Sequence, residues 1–177
     1  MSGVLVAQLF ALLVAATATV TDWRTGHIPN WLTFPPMLAA PIVHGLFSGI
    51  PGFTLSLIGI AACGLVPYIV FKLGGMAGGD VKLLAALGAV LGPFVGIEAE
   101  FIAFIVAAIF ALGRLAWEGK LLRTLGNTGR LAVNPFLPRR KRREVPDEMM
   151  SSMRLGASIF VGTLIAVLLR NPLLWGL

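Results

Sequence analysis

Runs of roughly twenty residues with little or no charge recur along this chain, and no other feature narrows its fold so far. A segment that crosses a bilayer core of about 30 Å needs about 20 apolar residues. In lipid it must satisfy its backbone amides within itself, as an α-helix, or within a closed barrel. Ten-residue segments of alternating polarity are absent, which argues against the barrel. Charged residues make up only 12% of the 177, against about a quarter in soluble domains. The expected fold class is an all-α membrane protein, polytopic, with six transmembrane helices at 3–21, 31–48, 53–72, 81–97, 101–117 and 155–171. Residues 1–177 are expected to form a single membrane-embedded domain. The fourth run is short and carries Gly92-Pro93 near its end, so the fourth and fifth also read as one bent hairpin around 96–100. No basic region precedes the first run, which therefore reads as a span and not as a cleaved signal peptide.

Lysine and arginine placement sets the orientation of such a chain. With both termini outside, 13 of the 14 cations fall on the inner side and only Arg170 on the outer. This puts Asp22 at the inner end of the first span and Asp80 at the inner start of the fourth. The net charge of +6 is thereby read as topology, and no nucleic-acid partner is expected. The one long polar stretch, 118–154, is expected to be a basic cytoplasmic loop between spans five and six. Trp117, Leu121, Leu122 and Leu125 share one helical side, as in an interfacial helix. Residues 139–143, all Arg or Lys, read as an anchor on anionic membrane lipid. The single cysteine, Cys63, excludes an intrachain disulfide, and a thiolate zinc site needs more thiolates. His27 and His44 are too few and too separated for a metal cluster, so neither metal nor cofactor is expected.

Two short polar segments interrupt the apolar background, 21–30 with Asp22 and 74–82 with Asp80. A carboxylate within or at the edge of a membrane is costly and points to function. Two carboxyls within a few ångströms share a proton because both cannot ionise comfortably. The protonated acid then polarises a peptide carbonyl, and the ionised one activates a water for attack. Gly78 and Gly79 allow close backbone approach, and a non-helical stretch at 74–79 offers an extended peptide β-type hydrogen bonds. Pro29 ends any preceding helix and holds Ile28 extended, and Asn30 is placed to cap the second span. Each acid also has a plain structural reading, Asp80 as the first-turn acid of a helix and Asp22 as an ion-pair partner of Arg24. Lys82 reads first as an inner-face anchor and His27 as an interfacial residue. Glu98 and Glu100 are expected on the opposite side, away from the site. Two rivals stand beside a peptidase. A small transporter also uses membrane acids and broken helices, but near the midplane and usually with inverted repeats; no repeat is visible here. A non-enzymatic assembly factor would bind partners through 118–154 and be indifferent to both acids.

Asp22-x-Arg24-x-x-x-Ile28-Pro29-Asn30, followed by a glycine-rich segment ending Gly79-Asp80-Val81-Lys82, resembles the prepilin peptidases, which are GxGD-type intramembrane aspartyl proteases. The likeness covers both motifs, their spacing and the six-span layout. It implies a multi-pass protein of the bacterial cytoplasmic (inner) membrane. It implies an aspartic endopeptidase that removes the leader of type IV prepilins or pseudopilins at the cytoplasmic face, after a glycine that precedes a hydrophobic helix. It also implies that Asp22 and Asp80 are catalytic. Around them, Arg24, Ile28, Pro29, Asn30, Gly78, Gly79 and Lys82 are the expected supporting residues. Larger members carry a cysteine-rich metal-binding domain and methylate the new N-terminus; this chain is more similar to the short, peptidase-only enzymes that serve Flp-type tight-adherence pili. Ala77 stands where the first glycine of GxGD is usual. It is expected to be a tolerated variant, provided the position does not need positive φ.

Overall fold

The computed structural model describes residues 2–117, 119 and 155–170. The regular structure among them is helical throughout: α1 (Ser2–Thr25), α2 (Asn30–Lys72), α3 (Gly78–Trp117) and α4 (Gly156–Leu169). Three of these are long and apolar enough to cross a membrane, over Gly3–Thr25, Asn30–Lys72 and Gly78–Arg114. The basic stretch 139–143 and most of the expected loop 118–154 lie outside the described residues. The chain divides into two compact units, Met1–Val106 with Ser152–Leu177, and Ala107–Ser151. The first holds both aspartates and every contact described below.

The expected division into six helices therefore meets four, and the reason is local. α2 runs for 43 residues, about 65 Å if straight, more than twice a hydrocarbon core of about 30 Å. It is not straight, because Gly49 inside it has φ 65° and ψ −158°. Gly92 breaks α3 in the same way, at φ 78° and ψ 170°. Glycine adopts such angles without a Cβ clash, and Pro51 and Pro93 just beyond lack the amide that would continue the preceding turn. The reversal at each break is sharp. A β-carbon built on Gly45 would lie 3.4 Å from Cβ of Phe53, whereas residues eight apart in a straight helix are about 12 Å apart. Likewise, a β-carbon on Gly96 would lie 3.0 Å from Cα of Gly88. The bend expected around 96–100 thus falls earlier, at Gly92-Pro93. Glu98 and Glu100 sit within the second arm of α3, where Glu98 accepts a 2.6 Å ion pair from Arg170 and Glu100 is buried. The expected span at 155–171 is described only as α4, whose 14 residues reach about 21 Å.

Small residues bring these helices together. Gln8, Ala11, Ala15, Ala18 and Asp22 form a buried stripe on α1, with the alternating three- and four-residue spacing of a packed helical seam. α1 packs chiefly along α4. The second arm of α2 crosses the first arm of α3 at Gly59 and Gly88, where a β-carbon on either would run into the carbonyl oxygen of the other. Cys63 fills the adjoining space, with Sγ 2.6 Å from a β-carbon built on Gly96. Ser56 donates its hydroxyl to the Ala89 carbonyl at 2.7 Å. Close backbone approach of this kind, with cross-helix hydrogen bonds, is how apolar helices associate where no water drives them together. Large apolar side chains such as Phe47, Ile50 and Phe94 face outward.

Because the obstacle at the crossing is backbone, it cannot turn aside. Gly59→Ala and Gly88→Ala should each lower stability by about 1–3 kcal/mol, measured by detergent-induced unfolding. Gly3→Ala, which meets nothing within 4 Å, should stay within about 0.5 kcal/mol of the parent.

Candidate active site

Asp22 occupies the last turn of α1. The helix stops one turn later because Gly26 takes φ 67° and its N–H donates to the Asp22 carbonyl at 2.8 Å, the simple left-handed C-terminal cap. Thr25 Oγ1 donates to the His27 carbonyl at 3.0 Å, which shapes the exit. The chain then extends through Ile28 to Pro29, whose φ of −74° and ψ of 148° make it the residue that caps α2, without a side-chain bond. Asn30 was expected as that cap and is instead the first residue of the helix. Its side chain is engaged elsewhere, as described below.

Asp80 lies in the first turn of α3. The preceding loop is set by the end of α2, where Gly74 has φ 80°. Gly74 N–H donates to Phe71 O and Gly75 N–H to Val70 O, both at 3.0 Å. These are the paired bonds of a Schellman cap. The glycine-rich segment thus divides its labour. Gly74 and Gly75 close one helix, and only Met76 and Ala77 remain between helices. Gly78 and Gly79, expected in a non-helical stretch, begin α3. Ala77 accepts the Asp80 N–H at 3.2 Å, and no non-glycine among the described residues has positive φ. Alanine at that position is unstrained, as the tolerated-variant reading required.

Two contacts interlock the aspartate segments. A β-carbon built on Gly79 would lie 3.1 Å from Ile28 Cβ and 3.4 Å from the Ile28 backbone N and O. Gly79 is therefore needed for proximity, not for an unusual φ. Ile28, 3% exposed, is clamped beneath it. Lys82 Nζ then donates to Asn30 Oδ1 at 2.9 Å and stands 5.2 Å above the centroid of the Phe34 ring. Both acids are buried, Asp22 at 7% and Asp80 at 3% exposure, and Asp22 is near enough to bear electrostatically on Asp80. Asp22 does not pair with Arg24, which is exposed on the last turn of α1; its Oδ2 accepts the N–H of Gly156 at 3.2 Å.

The structure thus brings Asp22, Ile28, Asn30, Gly79, Asp80 and Lys82 together. Pro29 supports them through the backbone, a β-carbon built on Gly78 would lie 3.5 Å from the Phe71 ring, and Arg24 is exposed. Thr19 and Gly156 escaped sequence reasoning, since nothing in the sequence links either to the two motifs. The arrangement offers two sheltered carboxyls at one junction of helix ends. They are near enough for the charge of Asp22 to act on Asp80.

A helical membrane protein with two acids gathered in this way has the frame of an intramembrane hydrolase. Residues 9–112, more than half of the chain, match the model of the type IV leader peptidase family, and the chain belongs to that family. It is a peptidase of the kind that acts on prepilins. No curated protein and no solved structure matches the chain.

The clamp between the two segments has a measurable signature. Gly79→Ala should cut prepilin processing about five- to tenfold by pressing on Ile28. In the Gly79→Ala/Ile28→Ala double variant the two losses should be less than additive, with a coupling of about 1 kcal/mol. Additive losses would show that the two residues act independently.

Proposed function

We propose that this chain is an aspartic endopeptidase that removes the leader peptide of type IV prepilins or pseudopilins, with Asp22 and Asp80 as its catalytic pair. The observation that carries this reading is the interlock just described, which joins two buried acids from segments 58 positions apart through Ile28 against Gly79 and Asn30 against Lys82.

In the proposed reaction the pair shares one proton. The protonated acid transfers its proton to the scissile carbonyl oxygen while the ionised acid removes a proton from a water held between them. Water oxygen bonds to the carbonyl carbon, giving a neutral gem-diol intermediate. Proton transfer to the amide nitrogen then breaks the C–N bond and releases the leader carboxyl and the new amino terminus. Lys82 acts here as a positioning residue, holding the start of α2 against the start of α3 through Asn30. Non-helical backbone beside the acids, at Met76-Ala77 and His27-Ile28, gives an extended substrate amides to pair with.

The proposed setting is the bacterial inner membrane, crossed six times with both termini outside. The breaks at Gly49 and Gly92 supply the two additional arms this requires, and the one-sided distribution of lysine and arginine supports the orientation. The acids then face the cytoplasm, where the leader of a membrane-anchored prepilin lies. The stretch 118–154 is proposed as a basic cytoplasmic loop held near anionic lipid.

Purified chain in detergent, incubated with a prepilin, tests the pair. Asp22→Asn and Asp80→Asn should each reduce cleavage at least about a thousandfold with the helical circular-dichroism spectrum and elution volume of the parent. Parental cleavage by either variant would rule out the pair.

A further inference from the structure

The start of α4 reaches the acids from a part of the sequence that neither motif includes. Gly156 is the first residue of that helix. Its N–H donates to Asp22 Oδ2 at 3.2 Å, across 134 positions. Its carbonyl accepts the hydroxyl of Thr19 at 2.9 Å, and Thr19 stands one turn before Asp22 on α1. Both backbone polar groups of one residue are thus held by side chains of the helix that carries the acid. The fit is equally close. A β-carbon on Gly156 would lie 3.0 Å from Asp22 Oδ2, 3.1 Å from Asp22 Cβ and 3.3 Å from Thr19 Cα. Gly156 does not have positive φ, so glycine serves here for its missing side chain and not for its conformational range.

α4 is also seated along its length. Gly162 lies against the Ala99 carbonyl oxygen and the Ala103 amide, 2.5 and 2.6 Å from a built β-carbon. Beyond the helix, Arg170 pairs with Glu98. The N-terminus of α4 is therefore a fixed point. A first-turn amide has no acceptor inside its own helix, and Asp22 supplies one. In return, the N–H on Oδ2 restrains the orientation of the Asp22 carboxyl.

We propose that Gly156 is a positioning residue of the leader-peptide reaction, its N–H and its lack of a side chain together setting the orientation of the Asp22 carboxyl. This rests on the reading of Asp22 as catalytic.

Steady-state kinetics of the purified full chain, with a synthetic peptide spanning a prepilin leader and the start of its hydrophobic helix, provide the test. Gly156→Ala adds a β-carbon and keeps the N–H. Gly156→Pro adds carbon at the same place and removes the N–H, at a first helical position that suits proline's own φ but presses on the α-region backbone of Leu155 before it. The expected kcat falls about tenfold in Gly156→Ala and at least about a hundredfold in Gly156→Pro. KM stays within about twofold, and the kcat losses do not follow the unfolding temperatures of the variants. Thr19→Val, which releases the Gly156 carbonyl, should lower kcat about three- to tenfold with KM unchanged. Equal kcat in Gly156→Ala and Gly156→Pro overturns the proposal, as does a loss confined to KM or one that tracks thermal stability. So does parental kcat in either Gly156→Ala or Thr19→Val, a result that decides the matter even if Gly156→Pro does not fold. Asp22→Asn separates the two levels. An inactive Asp22→Asn beside unimpaired Gly156 variants ends the positioning role alone, and an active Asp22→Asn ends the reading of Asp22 on which it rests.

Discussion

The width of one missing β-carbon governs this site. Gly79 rests so close to Ile28 that a β-carbon would have to press it aside by a few tenths of an ångström, and that closeness brings the end of the first helix to the start of the third. Separate them by the thickness of a methyl group and the Lys82–Asn30 hydrogen bond, now 2.9 Å, stretches with them. The two buried acids would then part with the helix ends that carry them. The same economy recurs at Gly59 and Gly88, where two backbones touch, and at Gly156, where a helix start meets a carboxyl. In lipid, where apolar side chains gain little by leaving their surroundings, such close approach is the main source of cohesion between helices.

Two kinds of helix ending complete the design. Gly26 and Gly74 take left-handed angles and donate their own N–H groups, joined at the second end by that of Gly75, back to the helix each closes. Each ending sits a few residues from one of the two aspartates, so the chain leaves its helix in a fixed direction. Met76 and Ala77 between α2 and α3, and His27 and Ile28 between α1 and α2, are short because the caps have already consumed the glycines. A chain with long flexible connections at these points would lose more conformational entropy in bringing its acids together.

Much of this was legible in the residues, and the illegible parts share a cause. Asp22 and Asp80 stood out because an acid among apolar runs is expensive and rarely incidental. The length of the apolar runs indicated helices, but not that Gly49 would join the second and third runs in one broken helix; the fourth and fifth read as one bent hairpin, with the bend expected around 96–100. A glycine-proline step marks a weak place in a helix, yet only packing decides whether the chain folds back there. That is why the second bend fell at Gly92-Pro93 and not beside the charged Glu98 and Glu100. Asn30 looked like a cap because its amide suits one, and Lys82 claimed that amide. Gly78 and Gly79 looked like loop residues, but their smallness, not their flexibility, is what the fold uses. Gly156 and Thr19 left no trace at all, since a backbone N–H is common to every residue but proline and a hydroxyl on an apolar helix usually bonds its own preceding turn.

One feature of the Gly59–Gly88 crossing reaches beyond stability. The chain's only thiol, on Cys63, is buried there, wedged beside Gly88 and Gly96. A thiol-specific reagent reaches that sulfur only when the two arms part. Alkylation rate at a single native atom therefore becomes a clock for the loosening of the scaffold, readable without introducing any label of foreign design.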